Sequence, residues 1–203
     1  SIRTTFHPDS DYSTFVGCYK PTKDEESGEI TYDFTPQAFT NAYVAAWKKV
    51  ESPFFLIIEE INRGNCAQIF GDIFQLLDRD PNGFSSYKTT PDQDLANYIR
   101  EQFTDTDIED ADVKSGKKMQ LPPNLYIWAT MNTSDQSLFP IDSAFKRRWD
   151  WRYIPIDYTD KEHYIACGDT QYSWADFLQK VNDRVESVTQ SEDKKLGYWF
   201  MGN

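Results

Sequence analysis

Two hydrophobic rhythms alternate along this chain. Short continuous apolar runs read as strands, and stripes at three- and four-residue spacing read as helices. Residues 2–6 read as a short strand, closed by His7-Pro8. Thr35-Pro36 is expected to open a helix, with Thr as N-cap and Pro at the first helical position. Its apolar stripe is Phe39, Tyr43, Ala46, Trp47 and Val50. The run Phe54-Phe55-Leu56-Ile57-Ile58 predicts a strand buried on both faces. Asn65 can cap a following helix with the stripe Ile69, Ile73, Leu76 and Leu77. Residues 125–129, after Pro122-Pro123, predict a second buried strand, and residues 151–156 a third. A last amphipathic helix begins at Ser173 and is expected to bury Trp174, Phe177, Leu178, Val181, Val185 and Val188. Strands alternating with helices predict an α/β fold with a mostly parallel sheet.

Residues 80–120 interrupt the rhythm. Asp80-Pro81-Asn82-Gly83 is a turn. Residues 92–113 carry eight acids and the single base Arg100. This predicts an exposed insertion, partly helical over residues 95–103. Of the formal charge of −12, which is 21 bases against 33 acids over 203 residues, this stretch supplies 1 − 8 = −7. The net acidity argues against broad binding to phosphate backbones. A content of 39% hydrophobic residues is too apolar for a disordered chain. No run of about 18 apolar residues predicts a membrane span. Residues 1–6 have no apolar signal-peptide core. Cys18, Cys66 and Cys167 are far apart, and with only His7 and His163 they offer no zinc-ligand spacing. They read as ordinary thiols of a cytoplasmic protein.

Three segments could carry chemistry. The strand at 54–58 delivers Glu59 and Glu60 at its C-terminal end, where open α/β sheets bind ligands. Paired carboxylates there suit magnesium and an attacking water. The bland alternative is a strand running into solvent. After residues 125–129 comes Met131-Asn132-Thr133-Ser134-Asp135, whose Asn132 could hold a water or phosphate oxygen, or simply belong to a turn. Lys146-Arg147-Arg148 is a basic cluster in an acidic chain. It could neutralise a transferring phosphoryl group or complement the end of a short helix.

The order of these pieces is more specific than any one of them. Ile58-Glu59-Glu60-Ile61-Asn62-Arg63-Gly64-Asn65, then Leu121-Pro122-Pro123-Asn124-Leu125-Tyr126-Ile127, then Met131-Asn132-Thr133-Ser134-Asp135, then Phe145-Lys146-Arg147-Arg148-Trp149 resembles the McrB family. These are the AAA+ NTPase motors of modification-dependent restriction systems. Thr5-Phe6-His7-Pro8 and the stretch from Tyr12 to Pro21 look like the segment after that family's first helix. The resemblance implies an AAA+ core over residues 1–157, with the acidic insertion at about 80–120, and the start of a helical lid over 158–203.

By the same resemblance Glu59 stands where the magnesium-supporting acid is expected, in place of the usual Asp, so it would act through water or leave hydrolysis slow. Glu60 is the expected activator of the hydrolytic water. Asn132 matches the first sensor and Asp135 ends the family signature. Gln136 stands where an Arg is often found. Arg147 and Arg148 match the arginines that reach a neighbouring subunit's nucleotide, with no sequence signal to separate them. Arg63 also matches a family arginine, or makes an ordinary ion pair. The implied cofactor is Mg²⁺ with GTP or ATP. The implied partners are a homo-oligomeric ring, a McrC-like nuclease and DNA bound through an N-terminal domain outside this chain. The chain has no Gly-x-x-x-x-Gly-Lys-Ser/Thr phosphate loop: its only Gly-Lys pair is Gly116-Lys117, followed by Lys118. In the family that loop and its strand precede the position of Ser1. A fragment lacking them is expected to bind nucleotide poorly and to expose unpaired strand edges. A MoxR-like or dynein-related AAA+ ATPase and a degenerate, non-hydrolysing scaffold remain open as alternatives.

Overall fold

A computed structural model describes residues 1–23, 30–132, 139–159, 163–190 and 194–200. The chain forms two compact units, Ser1–Trp149 and Asp150–Asn203. No described helix is long and apolar enough to cross a membrane.

The first unit is built on a parallel sheet of β1 (Ile2–Thr5), β4 (Phe54–Glu59) and β5 (Leu125–Ala129), in the order β1-β4-β5. The register sets Thr5 beside Glu59 and Ile58 beside Ala129, so all three strands end at one edge. Between β1 and β4 lie α1 (Tyr12–Phe15), an antiparallel hairpin of β2 (Gly17–Lys23) and β3 (Ile30–Pro36), and α2 (Ala38–Lys48). This is the α/β fold with a mostly parallel sheet that the sequence predicts.

Several expectations need correction. Thr35 and Pro36 do not open α2. They pair with Cys18 and Gly17 in the hairpin, and Gln37 takes the N-cap position without a side-chain cap. The Gln37 N–H and the Thr40 hydroxyl both donate to the Val16 carbonyl, which anchors the helix start two residues later. Gly17 makes the close pairing possible, because a β-carbon there would sit 2.7 Å from the Thr35 carbonyl oxygen.

β4 and β5 are buried on one face only. Leu56 and Ile58 point into the core with Phe39, Tyr43 and Phe70. On the other face Phe55 packs against Tyr126 and Trp128 at ring-centroid distances of 5.3 and 4.8 Å, yet Tyr126 and Trp128 stay 48% and 59% exposed.

The acidic stretch is helical where expected but not wholly exposed. Its helix α4 (Gln93–Gln102) is capped by Asp92 and buries Leu95 and Ile99, while Phe103, Val113 of the short helix α5 (Ala111–Lys114), Met119 and Leu121 join the same core. Half-buried Arg79 ties the turn at residues 80–83 to the start of β5 by donating to the carbonyls of Gly83, Pro122 and Leu125. Burial pulls its guanidinium down to about 10, still charged at neutral pH.

Residues 151–156 form no strand and join none of the described sheets. Asn65 does cap a helix, α3 (Cys66–Phe70), but the helix tightens into a 3₁₀ stretch at Gly71.

The second unit holds the hairpin of β6 (Tyr164–Cys167) and β7 (Thr170–Ser173), then α7 (Trp174–Thr189), capped by Ser173 as expected. The buried face of α7 is Trp174, Ala175, Leu178 and Asn182, whereas Phe177 and Val188 are exposed. Asn182 turns inward because its amide is satisfied: it donates to the Tyr158 hydroxyl and the Leu196 carbonyl and accepts from the Leu196 N–H.

Candidate functional site

The candidate residues gather at the C-terminal ends of β4 and β5. After Glu59 the chain leaves the sheet through Glu60, whose φ of 55° and ψ of 46° place a non-glycine residue in the left-handed region. Such a conformation is sparsely populated and tends to mark functional sites. A 3₁₀ turn, Ile61–Arg63, follows at once. Two main-chain bonds hold this corner to β5: Thr130 N–H donates to the Ile58 carbonyl, and Ile61 N–H donates to the Thr130 carbonyl. The register therefore brings Glu59, Glu60 and Asn132 to the same edge of the sheet.

The two acids differ in surroundings. Glu59 Oε1 accepts from Arg3 Nη1 at 2.9 Å, and its Oε2 accepts from the Thr5 hydroxyl at 3.4 Å. The Arg3–Glu59 pair is exposed, at 66% and 37% of the two side chains. Such a pair is worth about 1 kcal/mol at most, so it is easily exchanged for another cation. Half-buried Glu60 has no side-chain partner among the described residues. A carboxylate free of partners can take a proton from water, whereas one held by arginine and threonine is better suited to neutralising a cation.

The arginines that the sequence could not separate are distinct here. Both follow the short helix α6 (Ser143–Lys146), which Asp142 caps. Arg148 is held inside the unit: Nε and Nη2 both reach Asp78 Oδ2, at 3.0 and 2.9 Å, and Nη1 donates to the Ala144 carbonyl at 2.7 Å. Its guanidinium carbon lies 4.1 Å from the centre of the Phe74 ring, and the side chain is 9% exposed. Arg147 is exposed, and its side chain has no partner among the described residues. Arg148→Ala is expected to lower stability by about 2–3 kcal/mol, because it leaves Asp78 unpaired and removes a packed cation. Arg147→Ala is expected to change it by less than about 0.5 kcal/mol. Urea unfolding midpoints of the two variants check both figures.

Arg63 makes no ion pair among the described residues, and its Nε is buried without a hydrogen-bond partner. Asp135 and Gln136 lie outside the described residues. Cys66 donates to the Ile61 carbonyl, and burial pushes its thiol up to about 12, so it is no nucleophile. A groove of about 1170 Å³ elsewhere on the unit, lined by Trp47, Glu51, Glu101, Asp105 and Asp107, includes none of the candidate residues.

One residue at this corner escaped the sequence reading. Asn62 is 3% exposed, and its Nδ2 donates to the Asn132 carbonyl at 2.9 Å. The only sequence signal was its place three residues after Glu59, within a motif quoted for other members.

No family profile matches the chain. It is 38% identical, over 226 aligned positions covering 98% of its length, to the type II restriction enzyme BsuMI component YdiS of Bacillus subtilis. It is 28% identical, over 96% of its length, to the type IV methyl-directed restriction enzyme EcoKMcrB subunit of Escherichia coli. The chain spans 63% of the first relative's length and 38% of the second's.

Proposed function

Because the chain belongs to the McrB-type AAA+ proteins of restriction systems, we propose that it is part of a nucleotide-driven motor. The motor hydrolyses GTP or ATP with magnesium, as a cytoplasmic ring of identical subunits that drives a separate McrC-like nuclease. DNA recognition falls to a domain outside this acidic stretch. The observation that carries the reading is the convergence of Asn132 with Glu60, whose side chain has no partner among the described residues, at the C-terminal ends of two hydrogen-bonded parallel strands. That is where open α/β sheets bind ligands.

In this reading Glu60 takes the proton of the attacking water, and Asn132 holds that water or the terminal phosphate. Asp135 positions the water or a neighbouring arginine. Exposed Arg147 reaches the nucleotide of the next subunit, and Arg148 fixes the helix end from which Arg147 projects. Glu59 would hold the magnesium ion, on exchange of its exposed Arg3 contact. Hard carboxylate oxygens suit magnesium. The described residues offer no cluster of three metal-binding side chains. One carboxylate, with phosphates and waters completing the shell, is an ordinary magnesium site. The ion's part is to neutralise charge on the phosphates.

Shared catalysis has a direct test in the full-length protein. Glu60→Gln and Arg147→Ala are each expected to be inactive alone. Mixed one to one, they form sites in which an intact Glu60 meets an intact Arg147 from the neighbour, restoring about a quarter of wild-type turnover. Silence on mixing, with assembly intact, would exclude an arginine supplied in trans by Arg147.

A further inference from the structure

We propose that Asn62 is a positioning residue, whose side-chain amide sets where Asn132 stands relative to Glu60. The inference rests on the motor reading above and adds to it a residue that binds neither nucleotide nor metal.

Among the described residues, the last main-chain rung between the two strand ends is Ile61 N–H to the Thr130 carbonyl. Two residues further on, the Asn62 amide supplies the next connection, from the 3₁₀ turn to the Asn132 carbonyl, across 70 residues of sequence. Glu60 sits immediately before that turn, and its own carbonyl accepts from Arg63 N–H within it. The proposed general base and the proposed sensor are thus joined through a single rigid turn rather than through two independent loops.

The orientation of the amide is fixed by chemistry. Rotating it by half a turn would set Oδ1 against the Asn132 carbonyl oxygen, two acceptors face to face. In the orientation seen, Oδ1 is buried and accepts no hydrogen bond. An asparagine chosen only for packing would be better replaced by an apolar side chain, since an unmet buried acceptor is unfavourable. What it contributes is the donor aimed at Asn132. Small displacements of catalytic groups lower rate far more than affinity.

The test uses the full-length protein with Asn62→Ala and Asn62→Asp. Alanine removes both the donor and the orphaned oxygen. Aspartate keeps the shape but turns an acceptor toward the Asn132 carbonyl. For both, kcat is expected to fall ten- to a hundred-fold, with affinity for a non-hydrolysable GTP or ATP analogue within about twofold of wild type. Amide hydrogen exchange in the peptide over residues 126–132 is expected to quicken in both variants, while the peptide over residues 54–59 is unchanged. Wild-type kcat in Asn62→Ala, or affinity and kcat falling together in both variants, would overturn the proposal. If wild-type protein hydrolyses neither nucleotide, the motor reading fails separately. The exchange measurement then still decides the tie: quickened exchange upholds it, and unchanged exchange refutes it.

Discussion

Phe70→Ala is expected to destabilise the first unit by about 3–5 kcal/mol, the range for an aromatic ring removed from a packed core. Phe70 is fully buried, and its ring lies 5.0 Å from Phe15, 5.3 Å from Phe145 and 6.1 Å from Phe6, centre to centre. Phe6 directly follows β1, Phe15 lies on α1 and Phe145 on α6, so one ring joins the end of a sheet strand to the helix that precedes the arginines. No single neighbour can move to fill the space without losing its own contacts. Domains are stable by only about 5–15 kcal/mol, so the loss is a large share of the whole. At about 2–4 °C per kcal/mol for a chain of this size, the melting transition should fall by roughly 6–20 °C. Phe177→Ala, at a 48% exposed ring on α7, should cost well under about 1 kcal/mol. Thermal and urea unfolding of both variants check the contrast. A Phe70→Ala loss below about 1 kcal/mol would show that the aromatic cluster is not the centre of the core.

The second large effect concerns chemistry. Glu60→Gln in the full-length protein is expected to reduce GTP or ATP turnover at least about a hundred-fold while nucleotide binding persists, since a general base contributes roughly 10²–10⁴. Glutamine matches glutamate in size and keeps a hydrogen-bonding oxygen, so the loss isolates the charge. Glu60→Gly should be equally inactive without loss of stability. Glycine accepts the φ of 55° that glutamate holds only under strain. A Glu60→Gly protein that is inactive and at least as stable as wild type would mark the strained corner as serving function. Equal falls in binding and turnover for Glu60→Gln would instead assign Glu60 a binding role.

The parts legible in the sequence were those written in short range. Continuous runs at Phe54–Glu59 and Leu125–Ala129 declared themselves as strands, and their register brought Glu59, Glu60 and Asn132 to one edge. Which face of the sheet is buried was not legible. Phe55, Tyr126 and Trp128 make the exposed face as apolar as the core face, and period-two alternation vanishes. The start of α2 was misplaced because Thr35-Pro36 is a good local helix opening, and only pairing with Gly17 and Cys18 overrides it. The acidic stretch read as exposed because its carboxylates dominate its composition, yet Leu95, Ile99, Phe103 and Val113 are fully buried in the main core. In the site, the difference between Arg147 and Arg148 rests on Asp78 and Phe74, some 70 residues away, and no local pattern encodes it. The same holds for Asn62, whose partner Asn132 is equally distant.

Initial rates of GTP and ATP hydrolysis by the full-length protein, measured with magnesium beside Glu60→Gln, test most directly the proposal that this chain supplies the hydrolytic corner of a nucleotide-driven restriction motor. Turnover of at least one nucleotide, lost about a hundred-fold or more in the variant, is the predicted result. Wild-type protein that binds nucleotide yet hydrolyses neither faster than Glu60→Gln would contradict it.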